Sequence, residues 1–230
     1  MHTYSINKGN KDLRAKVAVI IFALSMVMSL LLKEFYTDKL NELANLLRTS
    51  DLKKVVGLVE WFEVNPDILG IPFVYGVLTF VYEQFLWQFW LFRVLHGVPK
   101  IKGNWEGNLK SSFNGKTIPI EMHIKQNWNK ISITCFFPKT DSTSNSNTAS
   151  ILVDSNKGTE ICFGYTNDSY DVDNNLQSHD GYNILNLVDK NHIKARYFNN
   201  RDNPNPECKG GNKGSFELKR VKKTEKSKQK

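Results

Sequence analysis

The residues with most to offer chemically are aromatics, one amide and one guanidinium brought together by strand alternation. Phe113, Phe137, Tyr165, Tyr197 and Asn199 share the inward parity of their segments, Tyr182 opens another, and Arg201 follows just beyond Asn199. Aromatic faces stack on bases, at about 1–3 kcal/mol each, and a guanidinium meets phosphate through two parallel hydrogen bonds. Arg201 is the candidate phosphate partner. The same aromatics also suit a plain barrel core, and sequence alone leaves both readings open. No catalytic constellation accompanies them. The five histidines, His2, His96, His123, His179 and His192, are scattered, and no Ser, Cys or carboxylate stands at a motif spacing from them. Gly210-Gly211 is a turn with no helix after it to cradle a phosphate. Cys135, Cys162 and Cys208 have no CxxC spacing, so neither a zinc site nor a disulfide framework is expected, and the compartment reads as reducing. These residues describe a binder that is not an enzyme and needs no metal or cofactor.

A second polar set lies among apolar residues. Gly76, Thr79 and Glu83 fall on one helical stripe with Pro72, Gln84 widens it, and Ser25 and Ser29 form a small-xxx-small pair in an earlier apolar run. A carboxylate within a membrane is expensive and faces protein or a water-filled cavity, while small residues let helices approach closely. The set reads either as hydrogen bonding within one helical hairpin or as a polar seam lining a pore once several hairpins assemble.

Two runs must position this seam. Val17–Leu32 has 16 residues without a charge between Lys16 and Lys33, slightly short of the roughly 20 needed to cross hydrocarbon, and the flanking lysines can snorkel. Nothing after Leu32 resembles a signal-peptide cleavage site, so the span is expected to be retained. Ile68–Phe92 carries one acid, Glu83, and is long enough to span with tilt. Trp87, Phe89, Trp90 and Phe92 read as an interfacial aromatic belt. Glu34–Pro66, with Leu40, Leu43 and Leu47 at helical spacing, is expected to be a helical pair on the outer face. Two spans put both termini on one side, and the basic flanks Lys8–Lys16 and Arg93–Lys102 make that side the cytoplasm of a multi-pass membrane protein.

From Ile101 the apolar period changes to two. Short alternating runs near 102–112, 117–127, 130–138, 147–154, 159–166, 180–188, 191–199 and 213–221 predict a compact barrel of eight up-and-down antiparallel strands behind the transmembrane hairpin. Ile118, Ile120, Met122 and Ile124 share its inner face with Ile131, Ile133, Cys135 and Phe137. Trp105 is a structural plug at the floor. The connections Pro138–Asn147, Thr166–Asp180 and Asn200–Asn212 read as long polar loops at the cytosolic mouth, with short turns at the membrane-facing floor. The domains are therefore a basic cytoplasmic N-terminus (1–16), a transmembrane region (17–98, spans near 17–32 and 68–92), the barrel (99–221) and a basic tail (222–230).

The net charge of +8 does not signal a nucleic-acid polymer. Ile101–Leu218 carries 13 Lys+Arg and 13 Asp+Glu, whereas Lys219–Lys230 has 7 basic residues against Glu225. DNA and RNA are excluded as expected partners. The tail reads as solvated or as a contact with anionic lipid.

Two spans followed by Gly103-Asn104-Trp105-Glu106-Gly107-Asn108-Leu109 opening a small barrel resemble the two-transmembrane, β-rich effectors of bacterial CBASS anti-phage systems, specifically the membrane-disrupting type associated with cyclic-nucleotide synthases. The likeness runs from about Val17 to Val221. It implies that the barrel is a minimal, lipocalin-like one, that a cyclic dinucleotide binds it in the cytosol, that the protein then self-associates into homo-oligomers, and that the spans breach the inner membrane and kill the infected cell. The balanced charge of the barrel departs from what an anionic ligand leads one to expect, and leaves Arg201, with Arg196 or Lys213, to meet the phosphates. Without the resemblance, the residues reach a small-ligand barrel tethered to a membrane, and a carrier or sensor of a lipid or other apolar molecule is the alternative.

Overall fold

The computed structural model describes residues 1–8, 11–48, 57, 61, 66–112, 115–154, 158–169, 178–200 and 212–221. They fall into two compact units, Met1–Leu13 with Trp87–Lys230, and Arg14–Leu86. Phe113, Arg201, Cys208, most of 49–65 and the tail 222–230 lie outside the described residues.

The first unit is the barrel. Three short N-terminal strands, β1 (His2–Thr3), β2 (Ser5–Lys8) and β3 (Lys11–Asp12), precede eight longer ones. These are β4 (Gly103–Ser111), β5 (Thr117–Gln126), β6 (Lys130–Phe137), β7 (Ser142–Asp154), β8 (Gly158–Ser169), β9 (His179–Asp189), β10 (His192–Asn199) and β11 (Lys213–Arg220). The order β6-β5-β4-β11-β10-β9-β8-β7 closes through β6–β7, so β4–β11 form an eight-stranded antiparallel barrel. The alternation expected of β5 and β6 is present: Ile120, Met122, Ile124, Ile131, Ile133 and Cys135 are all buried. Closure removes the sheet edges that an open minimal sheet would expose.

At the floor, Trp105 is fully buried, donates from Nε1 to the Ile101 carbonyl at 3.0 Å and lies 4.1 Å beneath the Arg220 guanidinium. Arg220 also donates to the carbonyls of Lys102, Lys100 and Lys190. Trp87 is fully buried, its ring 6.5 Å from Trp128. His96 accepts from the Val98 N–H at 2.9 Å through Nδ1 and donates from Nε2 to the Trp87 carbonyl at 3.0 Å. Trp87 is therefore a core residue of the barrel and not part of an aromatic belt, because the floor offers its ring Trp128 and its carbonyl His96. Phe89 and Trp90 stay exposed.

Two other expectations change here. Pro138–Asn147 is not a long loop: the chain turns over 138–141, with Asp141 at φ 42, and β7 starts at Ser142. Ser142 and Ser144 are buried, so a run that reads as polar loop is a strand whose inward residues are small hydroxyls. The N-terminus is also more than a basic flank. β1 pairs with β6 and β2 runs parallel to β7, with Tyr4 and Ile6 buried.

The second unit holds α1 (Leu13–Leu31), which begins at the boundary, α2 (Lys33–Arg48) and α3 (Pro66–Gln84). Among the described residues α1 is the one helix long and apolar enough to cross a membrane. Val19, Ile20, Leu24, Val27, Leu30 and Leu31 are exposed, whereas Ile21, Ser25 and Ser29 form a buried stripe. A helix apolar nearly all round is at home in lipid. The run Ile68–Phe92 is not one helix: α3 stops at Gln84, a 3₁₀ turn covers Leu86–Gln88, and a short helix, α4 (Trp90–His96), follows in the barrel unit. Glu83, Gln84 and Gln88 interrupt the apolar run, and Trp87 is claimed by the barrel floor.

Candidate functional site

The barrel holds a cavity of about 120 Å³ at the end opposite Trp105, lined from all eight of its longer strands and by Thr140 of the β6–β7 turn. Inward alternation on β8, β9 and β10 delivers Tyr165 and Asn167, Asn183, and Tyr197 and Asn199. Phe137 closes one side from β6, and Ser142 and Ser144 face it from β7. Of the expected ligand residues, the structure brings Phe137, Tyr165, Tyr197 and Asn199 together here. Tyr182 and Arg196 are elsewhere. On β9 and β10 the inward positions belong to Asn183, Leu185, Ile193, Ala195 and Tyr197, which are buried, so their even-numbered neighbours turn to the outer wall. There Tyr182 lies 5.6 Å from the exposed Phe198, and Arg196 lines an outer groove with Lys110 and Lys213.

Two glycines shape the cavity. Tyr165 pairs across the sheet with Gly181, and Tyr197 with Gly214. A Cβ on Gly181 would stand 2.4 Å from the Tyr165 ring, and one on Gly214 would stand 2.5 Å from the Tyr197 ring. Each ring lies over a bare backbone, which leaves the space in front of it open. Burial pushes the Tyr165 hydroxyl up to about 12, against the opposing effect of its hydrogen bond with Asn199, and burial likewise pushes the Cys135 thiol up to about 12. Both therefore stay neutral at physiological pH.

The polar lining is connected. Asn167 Nδ2 donates to Ser144 Oγ at 2.8 Å, and the Thr140 and Ser142 hydroxyls are 3.0 Å apart. His179 stands edge-on to Tyr165, with ring centroids 6.4 Å apart. Among the described lining residues His179 is the one side chain able to carry positive charge. Sequence reasoning missed Thr140, Ser142, Ser144, Asn167, His179 and Asn183. Asn167 and Asn183 were legible, because each sits on the inward parity of a strand. The serines were hidden by a polar run with no apolar alternation to mark it. Three buried-facing amides, several hydroxyls and two aromatic faces can stack a planar heterocycle and satisfy its donors and acceptors. They are poorly matched to an acyl chain, which would leave those groups unpaired.

In the helical unit the polar set is only partly assembled. Ser25 and Ser29 are buried, with Ser25 donating to the Phe22 carbonyl at 2.6 Å. Thr79 carries a buried hydroxyl, and Glu83 and Gln84 are half-buried. Gly76 is on the exposed face with Phe73, Val77 and Phe80. It does not join the others, because the covered stripe of α3 runs through Val74 and Tyr82.

Residues 96–220 match the family described as Cap15, cyclic dinucleotide receptor domain. The chain is also 29% identical over 154 residues to CD-NTase-associated protein 15 of Yersinia aleksiciae, an alignment that covers 61% of this chain and 73% of that protein.

Proposed function

The chain belongs to the Cap15 cyclic dinucleotide receptor family, which places it among CBASS effectors, and on that premise we propose that its barrel binds a cyclic dinucleotide second messenger at the mouth cavity. The observation that carries this reading is the lining itself: Tyr165 and Tyr197, each packed against a glycine of the neighbouring strand, together with Asn167, Asn183 and Asn199. At about 120 Å³ the cavity is below the roughly 300–1,000 Å³ usual for drug-sized ligands. One base enters, and the sugar-phosphate ring stays at the rim. There His179 and Arg201, which follows Asn199 by two residues, meet the phosphates.

The barrel acts by binding and not by catalysis. Ligand at the rim promotes self-association. The helices, α1 and α3 as two crossings, then gather with Ser25, Ser29, Thr79, Glu83 and Gln84 forming a polar path, and the inner membrane is disrupted, ending the infected cell. The 19 residues of α3 extend about 28 Å at 1.5 Å per residue, the length of a second crossing, although Pro72, Glu83 and Gln84 leave α3 less apolar than α1. Calorimetric titration of the full chain in detergent with a panel of cyclic dinucleotides and trinucleotides tests the first step. Saturable binding by one of them is expected, and a folded protein silent across the panel overturns the reading. Dye release from vesicles on adding that nucleotide tests the second step.

A further inference from the structure

We propose that the N-terminal segment Met1–Lys8, which lies outside the matched domain, is a component of the ligand receptor: it seats between β6 and β7, holds the cavity wall carrying Ser142 and Ser144, and ties cavity occupancy to α1. The proposal rests on the ligand reading above.

β6 and β7 pair directly only from Thr134↔Asn145 to Phe137↔Ser142. Beyond that point they part. His2 and Thr3 pair with Ile131 and Lys130 of β6, while Ser5–Lys8 runs parallel to Ser150–Val153 of β7. The parting follows from a bulge in β7, where the register shifts between Ser146 and Thr148. An extra residue bends and twists the bulged strand, and here it also switches the inward parity from Ser142 and Ser144 to Ile151. Two strand edges are thereby left without each other, and unpaired edges demand cover. Residues 2–8 supply it to both. Tyr4 and Ile6 enter the core at 3% and 1% exposure, and the Tyr4 hydroxyl donates to the Asn127 carbonyl at 2.9 Å.

The point of parting is one hydroxyl. Ser146 Oγ accepts from the Ile133 N–H at 2.9 Å and lies 2.8 Å from His2 Nε2. Ser144 is the next inward residue on β7, about 6.8 Å along the strand. It lines the cavity and is the partner of Asn167. Withdrawing the segment removes His2 from Ser146 and opens both edges, so β7 repacks and Ser144 moves relative to Asn167. Ligand affinity and seating of the segment are therefore linked, and linkage is reciprocal: what the segment does for the ligand, the ligand does for the segment. β3 pairs with β2 and ends at Asp12, and α1 begins at Leu13, so the segment is joined in sequence to the first helix through a strand of the same sheet.

The test uses the full chain in detergent with the cyclic nucleotide that saturates the wild type. Ile6→Asp places a charge in the core and expels the segment, and His2→Ala removes only the contact with Ser146. Ile6→Asp is expected to weaken binding within the roughly 5- to 150-fold range of such couplings, while amide exchange in β8–β10 stays protected. Saturating ligand is expected to slow exchange at residues 2–8 of the wild type. Wild-type affinity in Ile6→Asp together with ligand-insensitive exchange at residues 2–8 overturns the proposal. If Ile6→Asp loses protection throughout β8–β10, His2→Ala decides, with at least about threefold weaker binding expected and unchanged binding overturning it. A wild type that binds no cyclic nucleotide is a separate result, seen before any variant is made, and removes the ligand reading with the proposal that rests on it.

Discussion

Tyr165 and Tyr182 sit on neighbouring strands, each opposite a glycine of the other strand in the register Tyr165↔Gly181 and Gly164↔Tyr182, yet they face opposite sides of the wall. Replacing each by leucine asks which face the ligand uses. Tyr165→Leu keeps apolar bulk in the cavity but removes the stacking face and the hydroxyl that bonds Asn199. Base–aromatic stacking is worth about 1–3 kcal/mol, and about 1.4 kcal/mol is tenfold in affinity, so the dissociation constant should rise roughly 5- to 150-fold. Tyr182→Leu loses a ring contact with Phe198 and a hydrogen bond with Cys162 on the outer wall, and should leave affinity within about twofold of wild type. Calorimetry at one temperature on both variants, with thermal melts to confirm that each is folded, measures the contrast. Equal losses in the two variants, or unchanged affinity in a folded Tyr165→Leu, would refute the assignment of the ligand to the inner face.

Three further outcomes are expected. Gly181→Ala puts a Cβ 2.4 Å from the Tyr165 ring and 2.7 Å from the Phe198 carbonyl; the ring is pushed into the cavity, and titration should show at least about tenfold weaker binding with a cost of about 1–3 kcal/mol in stability. Glu83→Leu should leave nucleotide binding unchanged and abolish ligand-triggered dye release from vesicles, and unimpaired release would remove Glu83 from the polar path. Cys135 and Tyr165 have ordinary values of 9.0 and 10.0 that burial raises to about 12, so the folded barrel retains protons that the unfolded chain releases. The stability they contribute is complete below pH about 9 and is lost as pH rises toward about 12. Tyr165→Phe should therefore make the fall in melting temperature between pH 10 and 11.5 shallower, and an unchanged slope would show that Tyr165 is not held neutral by burial.

How much of this was legible follows from where each signal is stored. The period-two pattern from Ile101 onward determines the barrel: each of the eight longer strands overlaps its expected span, and six begin and end within one residue of it, because alternation is a local property of consecutive side chains. Inward parity likewise places Phe137, Tyr165, Tyr197 and Asn199 on one surface, and the uncharged run Val17–Leu32 marks α1. Local pattern fails where the inward residue is polar. Ser142 and Ser144 read as loop, since a strand of alternating serine, threonine and asparagine carries no hydrophobic contrast. It fails again over Ile68–Phe92, where composition describes one span and the barrel floor takes Trp87 out of it.

The N-terminal segment is the clearest division between the two kinds of information. Tyr4 and Ile6 alternate as a strand should, but the partners of their segment are Ile131 and Lys130, which pair with His2 and Thr3, and Ser150–Val153, which pair with Ser5–Lys8, all more than a hundred residues away. The sequence by itself determined that an eight-stranded barrel with an aromatic inner face would form behind an apolar helix. Only the tertiary structure decided that the barrel would part at Ser146 and take in its own N-terminus, because the vacancy between β6 and β7 arises from a bulge in one strand meeting the twist of another, and no stretch of neighbouring residues contains both.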